Sequence, residues 1–175
     1  MTELLVASPL RLCLHWDDGR LRAIDLEWSA PEDVAQPRTA HGIVLQELLL
    51  RYVEGVPVLW PELPLAHDAV TPFRWRVLQT LCSRAVYGTT VTYAQLAALA
   101  GSPKAARAVG GAMAHNPWPL VVPCHRVLAV NGPGGFSGAG LPMKAWLLRR
   151  EGISVPHDLL AACAHDGDSM RAESD

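Results

Sequence analysis

Leu10, Leu12, Leu14 and Trp16 alternate with Arg11, Cys13 and His15, and after Asp17-Asp18-Gly19 the residues Ile24, Leu26 and Trp28 alternate with Asp25 and Glu27. A period of two on both sides of a turn signal predicts a β-hairpin with one apolar face. The period then changes. Over residues 41–53, Ile43, Leu45, Leu48, Leu49 and Tyr52 recur at helical spacing and predict a helix. The intervening Ser29 to Thr39 is polar, holds two prolines and reads as loop. From Gly55 through Pro57, Pro61 and Pro64 the chain is punctuated by proline, as expected of a linker between two lobes.

The second lobe opens on a helix start: Thr71 can cap, Pro72 suits the first helical position, and Phe73, Val77, Leu78 and Leu81 share a face. Tyr87-Gly88 is the expected end. Thr92 can cap a short helix from Tyr93 to about Ala100, stopped by Gly101, and Ser102-Pro103 is expected to start another that runs to about His115. Two short helices joined by a glycine-containing turn form a helix-turn-helix pattern. Leu120-Val121-Val122 then reads as a short buried strand aimed at Pro123-Cys124-His125-Arg126-Val127. A loop with five glycines between Gly132 and Gly140 follows, and a last helix is expected from Pro142 to Gly152.

Composition narrows the class. With 50% hydrophobic and 18% charged residues in 175, the chain is globular, and no apolar run approaches the roughly 18 residues of a membrane span. The start lacks the features of a signal peptide, so the expected location is cytoplasmic: with the nucleoid in a bacterium, in the nucleus of a eukaryote. The four cysteines, at 13, 82, 124 and 163, form no Cys-x-x-Cys pair and read as reduced thiols. Charge is unevenly spread: residues 1–69 carry 5 Arg against 11 acids, residues 70–152 carry 9 Lys or Arg against Glu151 alone, and residues 153–175 carry one Arg against five acids. A polyanion would meet the middle segment preferentially.

Cys124 lies between a buried-strand pattern and a loop, followed by His125 and Arg126, whose positive charge would favour the nucleophilic thiolate. The stretch TVTYAQLAALAGSPKAARAVGGAMAHNPWPLVVPCHRV, with KAWLLRREG beyond it, resembles the core of the O6-alkylguanine-DNA alkyltransferase family over residues 71–152. The resemblance is only general over residues 8–60. It implies an α/β (α+β) protein: an N-terminal α/β domain with an antiparallel sheet over 1–69, a mainly helical domain with the helix-turn-helix over 70–156, and a dispensable acidic tail over 157–175.

The resemblance further implies that Cys124 accepts an alkyl group from O6 of guanine, and from O4 of thymine as an extension, once per molecule. His125 would draw off the thiol proton through a water, Glu151 would orient His125, and Asn116 would hold the preceding turn. The carbonyls of Cys124 and Val127 would read the guanine amino group. Ala105, Ala106 and Gly110 would let a recognition helix approach the minor groove, Arg107 would fill the stack left by a flipped base, and Tyr93 would press on a phosphate. The expected partner is double-stranded DNA containing alkylated guanine, bound by a monomer without cofactor or metal. Cys13 and His15 share a strand face and lack a second cysteine nearby, while His41 and His67 could complete a metal site. One departure concerns the base loop. Ungapped spacing from Cys124 puts Ser137 where the family has an aromatic residue, and a one-residue shift puts Phe136 there. The alternatives are a lesion-binding sensor without chemistry and a helix-turn-helix regulator.

Overall fold

Strands form where alternation is cleanest. The computed structural model describes residues 1–136 and 138–154. It opens with a meander of β1 (Thr2–Ala7), β2 (Leu10–Asp17) and β3 (Arg20–Trp28), antiparallel in that order. Leu10, Leu12, Leu14 and Trp16 are buried and their strand neighbours are not. Asp18 (φ 45°) and Gly19 (φ 72°) close the β2–β3 hairpin between the paired Asp17 and Arg20, the left-handed pair that a two-residue turn requires. The hairpin is therefore as expected, whereas β1 was not legible. Its inward positions are Glu3, Leu5 and Ala7, and a carboxylate on the buried face hides the alternation. Glu3 is tolerated there because it accepts the backbone N–H groups of Arg38 (3.0 Å) and Thr39 (3.1 Å).

Helix α1 (Ala40–Val53), capped by the Thr39 hydroxyl, lays Leu45, Leu49 and Tyr52 on the sheet. Gly42 lies against the Glu3 carboxylate, where a β-carbon would collide with it. The proline-rich stretch does more than span a gap. Leu21 of β3 donates to Pro64 O, Ile24 donates to Pro117 O, and the Trp118 indole donates to Leu21 O at 2.8 Å. The open edge of β3 is thus closed partly by the second lobe, and one apolar cluster runs from Leu5 to Leu147.

In the second lobe, α2 (Pro72–Arg84) is capped by Thr71, and it stops short of Tyr87-Gly88 because Ala85 leaves helical geometry (φ −100°, ψ 77°). β4 (Val91–Thr92) leads into α3 (Tyr93–Leu99), which begins with a reciprocal Thr92–Gln95 capping box. The next helix, α4 (Ala106–Ala114), starts three residues later than expected from Pro103. Proline biases Ser102 away from helical backbone, and residues 102–105 form a single turn closed by Ala105 N donating to Ser102 O at 2.8 Å. Val109, Ala112 and Met113 bury the inner face of α4, while Arg107 is exposed.

The strand expected at Leu120-Val121-Val122 does not form. Leu120 sits at φ 73°, and Val122 N turns back to Trp118 O at 2.8 Å. The run is buried because the turn packs inward, which its apolar composition could not distinguish from a strand. A 3₁₀ turn at Cys124–Arg126 follows, then β5 (Val127–Leu128), which pairs in parallel with β4. Helix α5 (Gly140–Arg150) begins two residues before Pro142 and ends at Glu151. Among the described residues no helix is long and apolar enough to cross a membrane. The expectations for Ser137 and for residues 157–175 lie outside the described residues.

Candidate active site

Asn116 prepares the approach to Cys124. It is buried, its Oδ1 accepts Trp118 N at 3.1 Å, and its Nδ2 donates to Val122 O at 2.9 Å. One side-chain amide thereby closes the turn that delivers Pro123 and Cys124. Cys124 itself is 3% exposed.

The neighbouring His125 is fully buried, and its Nε2 lies 2.8 Å from Glu151 Oε1. Arg126 grips the same carboxylate with two bonds, Nε to Oε2 at 2.7 Å and Nη2 to Oε1 at 2.9 Å, and its Nη1 donates to Ala85 O at 2.6 Å. The guanidinium therefore neutralises Glu151, a partner that its place beside Cys124 in the sequence did not reveal. Burial alone would push the Glu151 carboxyl up, yet the bonds from His125 and Arg126 hold it at about 2. Burial pushes His125 down, against the opposing pull of Glu151. A neutral imidazole facing an ionised carboxylate must carry its proton on Nε2. Its Nδ1 is then a lone pair, buried and without a hydrogen-bond partner among the described residues. The arrangement is a thiol, a neutral base next to it in sequence, and an anion that fixes the tautomer of that base.

Two further residues join the site that sequence reasoning missed. Tyr52, from the first lobe, donates to Glu151 Oε1 at 2.8 Å. Lys144, fully buried on α5, spends its ammonium on the carbonyls of Val127 (2.7 Å), Pro133 (2.6 Å) and Gly135 (3.0 Å). Burial lowers Lys144 to about 8, while the nearby Cys124 sulfur works in the opposite direction. The signal for Lys144 was available: a lone cation inside the apolar stripe Met143, Ala145, Leu147, Leu148 of one helix.

The glycine loop rests on Tyr93. Its hydroxyl accepts Gly135 N at 3.2 Å, and a β-carbon on Gly134 would lie 2.5 Å from that oxygen. Tyr93 is thus half-buried beneath the loop, with a role there that its assignment to a phosphate did not include. Phe136 packs partly on the main cluster, and its ring occupies the space beside Gly138, where a β-carbon would come within 2.5 Å. Val127 O accepts the Lys144 ammonium and Cys124 O accepts Val127 N. Ala105, Ala106 and Gly110 present only small side chains around exposed Arg107 on the outer side of α4. On the sheet's far side, Cys13, His15 and Asp25 bring their ligand atoms within 4.8 Å of one another. Asp25 is the third group the sequence did not reveal, and it reaches His15 because it pairs across the strands with Cys13. It is already bonded to His15 Nε2 at 2.6 Å.

Comparison with known proteins places these features in context. The model of the family described as "6-O-methylguanine DNA methyltransferase, DNA binding domain" matches residues 72–153. A methylated-DNA–protein-cysteine methyltransferase of Mus musculus is 51% identical over 149 residues, covering 85% of this chain and 57% of the mouse protein. The protein of the same name from Homo sapiens is 38% identical over 145 residues, covering 83% and 56%. The chain thus spans just over half the length of these curated relatives. Among solved structures, the Mycobacterium tuberculosis O6-methylguanine methyltransferase superposes with a TM-score of 0.69 at 30% identity, covering 93% of this chain and 99% of that one. A second structure from that organism, OGT in complex with DNA, gives 0.65 at 30% identity, covering 88% and 94%.

Proposed function

From the premise that this chain belongs to the 6-O-methylguanine DNA methyltransferase family, we propose that it repairs DNA by moving an alkyl group from O6 of guanine onto Cys124. The observation that carries the proposal is the buried series Cys124, His125, Glu151, with the histidine tautomer fixed by an ionised carboxylate.

The proposed chemistry is in-line displacement at carbon. The Cys124 proton leaves for Nδ1 of His125 through a water, and the thiolate sulfur attacks the alkyl carbon. A carbon–sulfur bond forms as the carbon–O6 bond breaks, and its electron pair passes to the guanine ring, which takes a proton and leaves as ordinary guanine. Glu151 keeps the proton on Nε2, so the lone pair stays on Nδ1. The thioether product has no base-catalysed way back, so each molecule acts once. O4-alkylthymine offers the same alkyl–oxygen bond and is a candidate second substrate.

Because Cys124 is 3% exposed, a base stacked in a duplex cannot reach it. The target nucleotide must swing out, at a cost of roughly a few kcal/mol of stacking and pairing. Arg107, exposed at the start of α4, is the side chain to occupy the vacated space. Ala105, Ala106 and Gly110 leave room for the backbone to approach the minor groove. The carbonyls of Cys124 and Val127 would accept the guanine amino group, and Phe136 would flank its ring.

Intact mass spectrometry after incubation with excess O6-methylguanine duplex tests the proposal. The expected result is a gain of one CH2 on Cys124 and one equivalent of restored guanine. Tight duplex binding without any mass change would instead identify a lesion sensor, and turnover beyond one equivalent would refute the suicide step.

A further inference from the structure

The first lobe enters the site through one side chain. Tyr52, in the last turn of α1, is fully buried and bonds to Glu151 across 99 residues of sequence. Its ring is wedged between Trp60 (centroids 5.9 Å apart) and the edge of Tyr87 (6.1 Å, planes at 83°). Tyr87 in turn shares its hydroxyl proton between Gly55 O (3.1 Å) and Arg150 O (2.9 Å), which ties the end of α1 to the end of α5. This brace holds the phenol and the carboxylate in fixed register.

We infer that Tyr52 is a positioning residue for alkyl transfer, its hydroxyl fixing the same Glu151 oxygen that receives the His125 N–H. The inference rests on the proposed role of His125 as base. Oε1 accepts three donors, from Tyr52, His125 and Arg126, whereas Oε2 accepts Arg126 Nε and, at 3.4 Å, Gly88 N. Arg126 alone keeps the carboxylate in place by its two bonds. The Tyr52 hydroxyl therefore adds little to anchoring and acts on charge: it draws electron density from Oε1 that would otherwise fall on His125. Burial and the Glu151 charge push the phenol far above its ordinary range, so it stays a donor at every working pH. The other groups around the pair are Cys82 on α2, Tyr87 after it, Arg126 and Cys124 in the turn, and Lys144 and Arg150 on α5. All of them survive unchanged when the phenol oxygen alone is removed.

Tyr52→Phe in the full chain keeps the ring and its packing and deletes the bond. With charge returned to Oε1, the imidazolium form of His125 is better stabilised, so neutral His125 is regained only at higher pH. The acid limb of the single-turnover rate with free O6-benzylguanine should move up by about one pH unit. That is about a tenfold loss well below the midpoint, with the plateau at high pH within about twofold of wild type. The His125 ring 15N shifts should move with it, and they read the same midpoint without alkyl transfer. A Tyr52→Phe profile that superimposes on a wild type that does transfer overturns the Tyr52 assignment alone. So does an equal loss at every pH with a lowered melting temperature, which is the mark of a structural role. A wild type that transfers nothing overturns the underlying reading as well.

Discussion

Glu151→Gln should damage the protein twice, and the two losses can be separated. The carboxylate is ion-paired with an Arg126 side chain 6% exposed, through two bonds of 2.7 and 2.9 Å, with a side-chain exposure of its own of 0%. Removing the anion strands a buried guanidinium, which costs about 3–5 kcal/mol. The depression of the Glu151 carboxyl points the same way. Glu151 is held at about 2 in the fold against an ordinary 4.5, a difference that corresponds to about 3 kcal/mol at neutral pH. Because the folded value is depressed, this stabilisation is present above the unfolded value and is lost as pH falls from about 4.5 to about 2. A loss of about 3 kcal/mol corresponds to about 6–12 °C in melting temperature for a chain of this size. Urea unfolding at neutral pH measures it. The rate falls for another reason: an amide can offer His125 either N–H or C=O, so the lone pair is no longer held on Nδ1. Folded Glu151→Gln protein, assayed in the cold below its transition, should transfer at least about a hundredfold more slowly. A stability loss under about 1 kcal/mol would refute the buried pair as a structural element. A near-normal rate in folded protein would refute Glu151 as the orienter of His125.

Other outcomes follow from the same contacts. Arg107→Ala should slow repair at saturating duplex while leaving the reaction with free O6-benzylguanine near wild type. If saturation restores the rate, Arg107 is only a phosphate contact, and the loss should instead appear as weaker, less salt-dependent binding. Lys144→Met removes the cation that gathers three carbonyls, the buried Val127 O and the partly buried Pro133 O and Gly135 O of the loop, and should cost about 1–3 kcal/mol by urea unfolding. A change within about 0.5 kcal/mol would show that the loop does not depend on it. Acid should begin to destabilise the fold below about 6.5, because His125 is buried neutral with its folded value lowered, so its stabilisation is lost as pH falls past the unfolded value. A flat stability between 7 and 5 would contradict that. Zinc should be absent from protein purified without added metal. Burial first, then Asp25 and Glu27, push the Cys13 thiol up and oppose the thiolate a metal needs, and His15 and Asp25 already satisfy each other. Stoichiometric zinc lost in Cys13→Ala would reverse this expectation.

How much could be read beforehand depended on whether a residue's consequence was local. The β2–β3 hairpin, the Thr71 and Thr92 caps and most of the apolar face of α1 are set within a few residues and were legible from spacing alone, although Ile43, counted on that face, is exposed. Local rules failed where two of them compete: Leu120-Val121-Val122 has a strand's composition but sits two residues after the Asn116-Pro117 turn, whose hydrogen bonds claim it first. Strand β1 escaped because Glu3 breaks its alternation, and its reason for doing so, the N–H groups of Arg38 and Thr39, lies 35 and 36 residues away.

The charges of the site show the same limit at its sharpest. Sequence gives a charge and its neighbours along the chain, but a buried charge is defined by its partner, which is elsewhere. Arg126 stands two residues from the nucleophile and was read as serving it, yet its guanidinium goes to Glu151, 25 residues on, and to Ala85 O, 41 residues back. Lys144, twenty residues from the cysteine, is a buried cation whose field includes the sulfur. Exchanging those roles changes the chemistry. An arginine on the sulfur would favour a standing thiolate, reactive toward any electrophile that entered. With Arg126 committed to the carboxylate, His125 stays neutral and the thiol needs a base at the moment of attack. The observation that separates the two is the pH at which Cys124 becomes reactive toward a small alkylating agent. A midpoint that tracks His125 and shifts in Glu151→Gln fits the committed arginine, and a thiol already ionised well below it, unmoved by that substitution, would restore the sequence-based assignment.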